Sequence, residues 1–227
     1  MKTAGLALLA ELRDTRLGVD RLLGALVFRK IYIGWILGGL FVLSSCVAAP
    51  PVPEDHFYRL QAVNASEPFT RAVFPGTIEV DRFVADGLTS ERGIVFSEIS
   101  QPNQVKAYHY HFWIKPPTIM LRDELVTFLR ASKISDAVVT PEMRVHADFA
   151  LTGKIKHLEQ IRAKKKTRIL LEVEIGLRRP DNGKLLFLDS YRVETVAGNE
   201  SVNAAVESLD EALSIVYTEF LTDISKR

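Results

Sequence analysis

One side chain stands where covalent chemistry has a clear route: Cys46, which closes the run Leu43-Ser44-Ser45-Cys46. Ahead of it lie thirteen uncharged residues, Ile31 to Leu43 (IYIGWILGGLFVL), preceded directly by Arg29 and Lys30. Positive residues, then a short apolar stretch, then small residues is the order of a secretory signal peptide. The small side chains let a peptidase take the backbone into a narrow cleft. A cysteine directly after the cut adds a second reaction. Leu-Ser-Ser-Cys has the form of a bacterial lipobox, in which the thiol receives diacylglycerol before cleavage and the freed amino group of Cys46 is then acylated. At about 0.8 kcal/mol per buried CH₂, one chain holds weakly and several anchor stably. The competing reading is an uncharged transmembrane anchor over Ile31 to Ala49, nineteen residues and so near the roughly 20 that span a bilayer. The lipobox is preferred because the lone Cys falls where processing needs it.

Other chemistry is sparse. His109 and His111 alternate on an expected strand and could share a metal, but no third ligand is evident and Glu98 is only a guess. Two half-buried imidazoles explain them as well, so no metal and no cofactor is expected. Gly153-Lys154 lacks the upstream glycine and the hydroxyl residue of a P-loop. HExxH and GxSxG are both absent, and no nucleophile–base pair is recognisable. The chain is therefore expected not to be an enzyme. Arg162 to Arg168 (RAKKKTR) places five basic residues in seven, including Lys164, Lys165 and Lys166. Such a run can meet anionic headgroups at up to about 1 kcal/mol per charge near a membrane, or it can be a solvated hairpin tip. Tyr108, Tyr110, Phe112 and Trp113 form an aromatic strand that serves either core packing or contact with a partner or lipid.

The 227 residues carry 29 Lys+Arg and 28 Asp+Glu, a formal net charge of +1, so there is no electrostatic case for nucleic acid. With 47% hydrophobic residues the composition is globular. One cysteine forms no intramolecular disulfide. Removing residues 1–45 takes away six basic and three acidic residues and leaves a 182-residue module of net charge −2. Its only thiol would be lipidated, which suits an oxidising compartment. Glu11, Asp14 and Asp20 are unusual in an n-region. Residues 1–27 thus read as a start placed too early, with translation beginning nearer Val27, or else as a cytoplasmic extension whose leucines make a weak amphipathic helix.

The elements that must position these residues follow from periodicity. Residues 46–55 comprise the Cys and a tether in which Pro50, Pro51 and Pro53 disfavour helix and sheet. Residues 56–227 read as one α/β domain. Strands are expected over His56–Gln61, Thr77–Phe83, Gly93–Glu98 and Gln104–Ile114. In the last of these, Tyr108, Tyr110 and Phe112 take one face and His109, His111 and Trp113 the other. A helix follows with Leu121, Leu125, Phe128 and Leu129 inward and Arg122, Asp123, Glu124 and Arg130 outward. Val145–Ile155 alternates, Ile169–Leu177 repeats the pattern, and Lys184–Val196 is the return strand after the hairpin turn Arg179–Gly183. Together they make an antiparallel meander with one solvated face. Val202, Val206, Leu209, Leu213, Val216, Phe220 and Ile224 mark a second long helix. The fold class is a mixed, largely antiparallel sheet packed with two main helices.

Several segments taken in order carry a family resemblance: His56-Phe-Tyr-Arg-Leu60 after the proline tether, Ile78-Glu-Val80, Gly93-Ile-Val-Phe96, Tyr108-His-Tyr-His-Phe-Trp113 running into Pro116-Pro117, the Leu121/Leu125/Leu129 helix, and Phe149-Ala-Leu-Thr-Gly-Lys-Ile155. With the lipobox, the chain from about Cys46 to Leu221 resembles the auxiliary lipoproteins of ABC-type transport systems, the PqiC-like lipoproteins. That resemblance implies a non-catalytic lipoprotein facing the periplasm. Its partners would be an MCE-domain substrate-binding protein, a permease and an ATPase that move lipid between membranes and support membrane integrity. Val47 follows the Cys where an inner-membrane sorting signal would have Asp. By the rule known for enteric bacteria this points to the outer membrane. An exposed strand edge makes a homo-oligomer plausible. The alternative is a structural lipoprotein of another envelope assembly, such as a secretion or polysaccharide-export complex.

Overall fold

Long alternating strands with one apolar face pair readily and leave that face to be covered. The computed structural model describes residues 51–63, 67–163 and 166–226. Contacts divide the chain into Met1–Val52 and Pro53–Arg227, and the fold is that of the second unit. Its strands are β1 (His56–Tyr58), β2 (Phe74–Val80), β3 (Val84–Ala85), β4 (Gly93–Glu98), β5 (Gln101–Trp113), β6 (Ser135–Val139), β7 (Phe149–Arg162), β8 (Arg168–Arg178) and β9 (Leu185–Val196). Helix α1 spans Pro117–Ser132 and α2 spans Val202–Ser225.

β7 organises the sheet. One edge pairs antiparallel with β8, from Ala150 opposite Arg178 to Ile161 opposite Arg168, and β9 follows antiparallel. Along the other edge of β7, three strands lie end to end and parallel to it: β2, then β3, then β4. The sheet therefore forks. One branch continues from β2 to β6 in parallel, and the other from β4 to antiparallel β5 and parallel β1. The antiparallel pairs supply most of the ladder, so the mixed, largely antiparallel sheet with two main helices is what the structure has.

The core lies between the sheet and the helices. Ile169, Leu171, Val173, Ile175 and Leu177 of β8 are fully buried and face α2, whose Leu213, Val216, Tyr217 and Phe220 are equally buried. The opposite face of β8 and β9 is an ionic ladder: Arg192 to Glu172 at 2.8 Å, Lys156 to Glu174 at 3.0 Å, Arg168 to Glu194 at 2.7 Å. Each buried aliphatic side chain contributes about 2 kcal/mol, whereas each exposed pair contributes under about 1 kcal/mol. The apolar seam therefore holds the fold, and the ladder keeps the outer face wet.

Helix ends follow local chemistry. α1 starts with Pro117 at its first turn, where a missing N–H costs nothing, and stops at Lys133 in the left-handed region (φ 54°). α2 is capped by Ser201, whose Oγ accepts from the Ala204 N–H at 3.1 Å. The helices join where the buried Tyr217 hydroxyl donates to the Leu121 carbonyl at 2.7 Å.

The structure departs from the sequence reading at several places, four of which bear on the edge or the core. The first strand ends at Tyr58, not Gln61, because residues 61–63 give their N–H groups to helix side chains. Arg122, expected to face out, is 8% exposed, with its guanidinium bonded to Asp123 (2.9 Å) and Glu142 (2.8 Å). β7 begins at Phe149 and runs to Arg162, and Val145 lies outside it and is exposed. Irregular register inside β5 also regroups the aromatic strand.

Candidate docking site

The aromatic strand sits at the edge of the forked sheet. β4 opposes β5 with Gly93 facing Phe112 but Val95 facing Ala107, so residues 108–111 bulge out of the ladder. A bulge breaks strict alternation. As a result the Tyr108 and His111 rings meet edge to face at 5.3 Å instead of lying on opposite faces.

On the helix side, His111 stacks on His56 (5.1 Å, 18°) and its Nδ1 is hydrogen-bonded to the Tyr58 hydroxyl at 2.9 Å. Tyr108 packs on Phe96 at 4.4 Å and donates to the buried Gln160 Oε1 at 2.6 Å. Gln160 in turn donates to the Glu200 carbonyl. Trp113 is 1% exposed and belongs to the core. Burial pushes the Tyr58 and Tyr108 phenols up, with Arg162 partly opposing it at Tyr108, and pushes His111 down, helped by the neighbouring His56. A phenol with a raised pKa beside an imidazole with a lowered one is a poor nucleophile–base pair. These groups fasten β1 to β5.

On the opposite side of β1, Phe57 is 56% exposed, stands 5.9 Å from Phe112 and is covered by the Arg92 guanidinium at 5.4 Å. Arg92 Nε also donates to the Trp113 carbonyl, which fixes the cation over the ring. Tyr110 is exposed. Next to it, the edge of β5 from Gln101 to Tyr110 has no strand partner among the described residues, since β1 covers only His111 to Trp113. An aromatic patch beside free backbone N–H and C=O groups can receive an extended segment.

The expected site residues thus separate. Tyr108 and Trp113 turn inward, and Tyr110 and part of Phe112 remain accessible. His109 is exposed while His111 is engaged, and Glu98 pairs with Lys106 at the far end of β5. Among the described residues no group of three His, Cys, Asp or Glu could hold a metal, and no helix is long and apolar enough to cross a membrane. Lys166 is exposed. Cys46, Lys164 and Lys165 lie outside the described residues.

A further feature had no sequence signal. After β1, the N–H groups of Gln61, Ala62 and Val63 donate to Asp210 (2.8 Å), Glu124 (3.0 Å) and Ser214 (2.9 Å). Both helices thereby grip the chain that leaves the edge strand. Burial, with Glu124 and Glu207 nearby, pushes Asp210 up to about 6, against the pull of the Gln61 N–H.

Among curated proteins none matches the chain. Two solved structures share the fold. One is protein XCC0632 of Xanthomonas campestris, 19% identical, covering 75% of this chain and 96% of that one with a TM-score of 0.63. The other is an uncharacterized protein, 14% identical, covering 76% and 99% with a TM-score of 0.60. The model of one protein family matches residues 58–219, which takes in the sheet from the end of β1 and about three quarters of α2. On that match the chain belongs to the family of ABC-type transport auxiliary lipoprotein components, non-catalytic lipoproteins of the bacterial envelope.

Proposed function

We propose that this auxiliary lipoprotein is held by acylated Cys46 in the outer membrane, and that its β1–β5 edge receives a transport component reaching across the periplasm. The partners in this reading are an MCE-domain substrate-binding protein and, through it, a permease and an ATPase that move lipid. The signal peptide occupies residues 1–45, and residues 46–55 form the tether that joins the anchor to the domain. The observation that carries the reading is the family match over the folded domain. The open edge of β5 beside Phe57, Tyr110 and Phe112 supports the choice of docking face. Burying two such rings contributes more than the rim charges around them, because aromatic anchors dominate interface energetics.

In-cell photocrosslinking from position 110 tests it. The expected capture is an MCE-domain protein. Capture of secretion or polysaccharide-export components instead assigns the lipoprotein to another envelope assembly.

A further inference from the structure

One end of the sheet gathers the β4–β5 turn, the β7–β8 connection and the start of α2. Glu98 lies opposite Arg162 in register, Ile99 N–H donates to the Arg162 carbonyl at 3.0 Å, and Ala197 N–H donates to the Thr167 carbonyl at 2.9 Å. A cavity of about 460 Å³ opens here between Ile99, Ser100, Arg162, Thr167 and Glu200. The Thr167 hydroxyl, on a residue 2% exposed, has no hydrogen-bond partner among the described residues.

The chemistry of this end is lopsided. Ile99 is 55% exposed. Arg162 and Lys166 are exposed and make no ion pair among the described residues, and the Arg162 guanidinium lies over the Phe96 ring at 5.2 Å. The carboxylates at this end are mostly spoken for: Glu98 by Lys106, Glu194 by Arg168, with Glu200 at the cavity. The opposite end carries the turn Arg179-Pro-Asp-Asn-Gly183, which has mixed charge.

The path of the chain is the second observation. β1 is parallel to β5, with His56 opposite His111. The polypeptide therefore runs into β1 from the direction of Gln101, the basic end. Ten residue steps separate Cys46 from His56, an extended reach of about 34 Å. The ten residue steps from Gln101 to His111 span about 33 Å of strand. A tether of that length has the reach to bring a lipid at Cys46 level with the β4–β5 turn.

We infer that this end of the domain, formed by Ile99, Arg162 and Lys166, rests against a bilayer surface carrying anionic phospholipid headgroups. Ile99 sits at the headgroup boundary and the two cations meet phosphate. The long axis of β5 then stands away from the membrane, and the inference rests on acylation of Cys46. Two basic side chains near such a surface shift the contact equilibrium by about 30-fold.

The test uses the full lipidated chain in vesicles of phosphatidylethanolamine and phosphatidylglycerol that contain a headgroup-nitroxide lipid. A thiol-reactive fluorophore is attached through S100C or, at the opposite end, D181C. Stronger quenching at position 100 than at 181, reduced to the 181 level by R162E/K166E and by replacing phosphatidylglycerol with phosphatidylcholine, supports the contact. Equal or reversed quenching overturns the orientation. Quenching at position 100 that ignores R162E/K166E overturns the headgroup contact. If Cys46 is not acylated, its free thiol takes a second fluorophore. That result identifies failure of the anchor separately from failure of the orientation.

Discussion

Gly153 and Phe83 show how one residue is fixed by another that is remote in sequence. A Cβ on Gly153 would sit 2.6 Å from three carbons of the Phe83 ring. Phe83 is 1% exposed and sits inside the core, so the ring has no room to retreat. Gly153→Ala is therefore expected to destabilise the domain by about 1–3 kcal/mol. Urea unfolding checks this, and an unchanged midpoint would mean that the ring moves freely. Nothing in the sequence around Gly153 announces the constraint, because the ring arrives from the segment between β2 and β3. Arg122 is a similar case. Its place on the helix wheel is outward-leaning, yet the side chain is nearly buried and its guanidinium pairs with the exposed Glu142, from a segment twenty residues on. Alternation and helical period report which face a residue takes. They do not report which neighbour reaches over to cover it.

At the scale of elements, periodicity was a good guide where strands and helices are long and regular. The stripe from Val202 to Ile224 is the buried face of α2, and the meander β7–β8–β9 follows the alternating segments. It failed at bulges and at short strands. Ser135–Val139 adds a strand of five residues directly after α1, too short for a pattern. The register break between Ile155 and His157 reverses the faces of β7, so Leu158 and Gln160 are buried although their parity opposes that of Ile155. The break in β5 does the same to Tyr108 and His111, and this made the aromatic strand look two-sided. The candidate docking edge is therefore half legible in the sequence: the aromatics are visible, but their sorting into inner clasp and outer patch is not.

The grip of the helices on residues 61–63 belongs to this scale too. Asp210 is raised from 3.8 to about 6, so the folded state holds its proton more tightly than the unfolded chain does. The stabilisation is present at low pH and is lost as pH rises through about 6. Asp210→Asn keeps an acceptor for the Gln61 N–H and removes the charge. The variant is expected to melt above the wild type near pH 7.5, with the gap closing toward pH 4.5. Because the carboxylate is only half-buried, solvent screening keeps the gap under about 1 kcal/mol. Thermal melts at the two pH values check this, and a gap independent of pH would remove Asp210 from the account.

In the proposed reading the whole molecule is an anchor, a short proline-rich tether and a folded domain with one docking edge. Each part constrains the next. On that proposal the tether would limit how far the edge stands from the bilayer, and the basic turn would favour one orientation of the edge. In that arrangement the edge of β5 that is unpaired among the described residues would face the space from which a transport component arrives. The family match covers the domain from Tyr58 to Glu219, and the domain's role as an auxiliary component follows from it. The manner of attachment depends on Cys46. Mass spectrometry of the protein extracted from its native envelope tests that point most directly. The expected species is a chain whose first residue is Cys46, with diacylglycerol on its sulfur and a fatty acyl group on its nitrogen. Recovery of a peptide that still joins Ser45 to Cys46 with a free thiol would contradict the account.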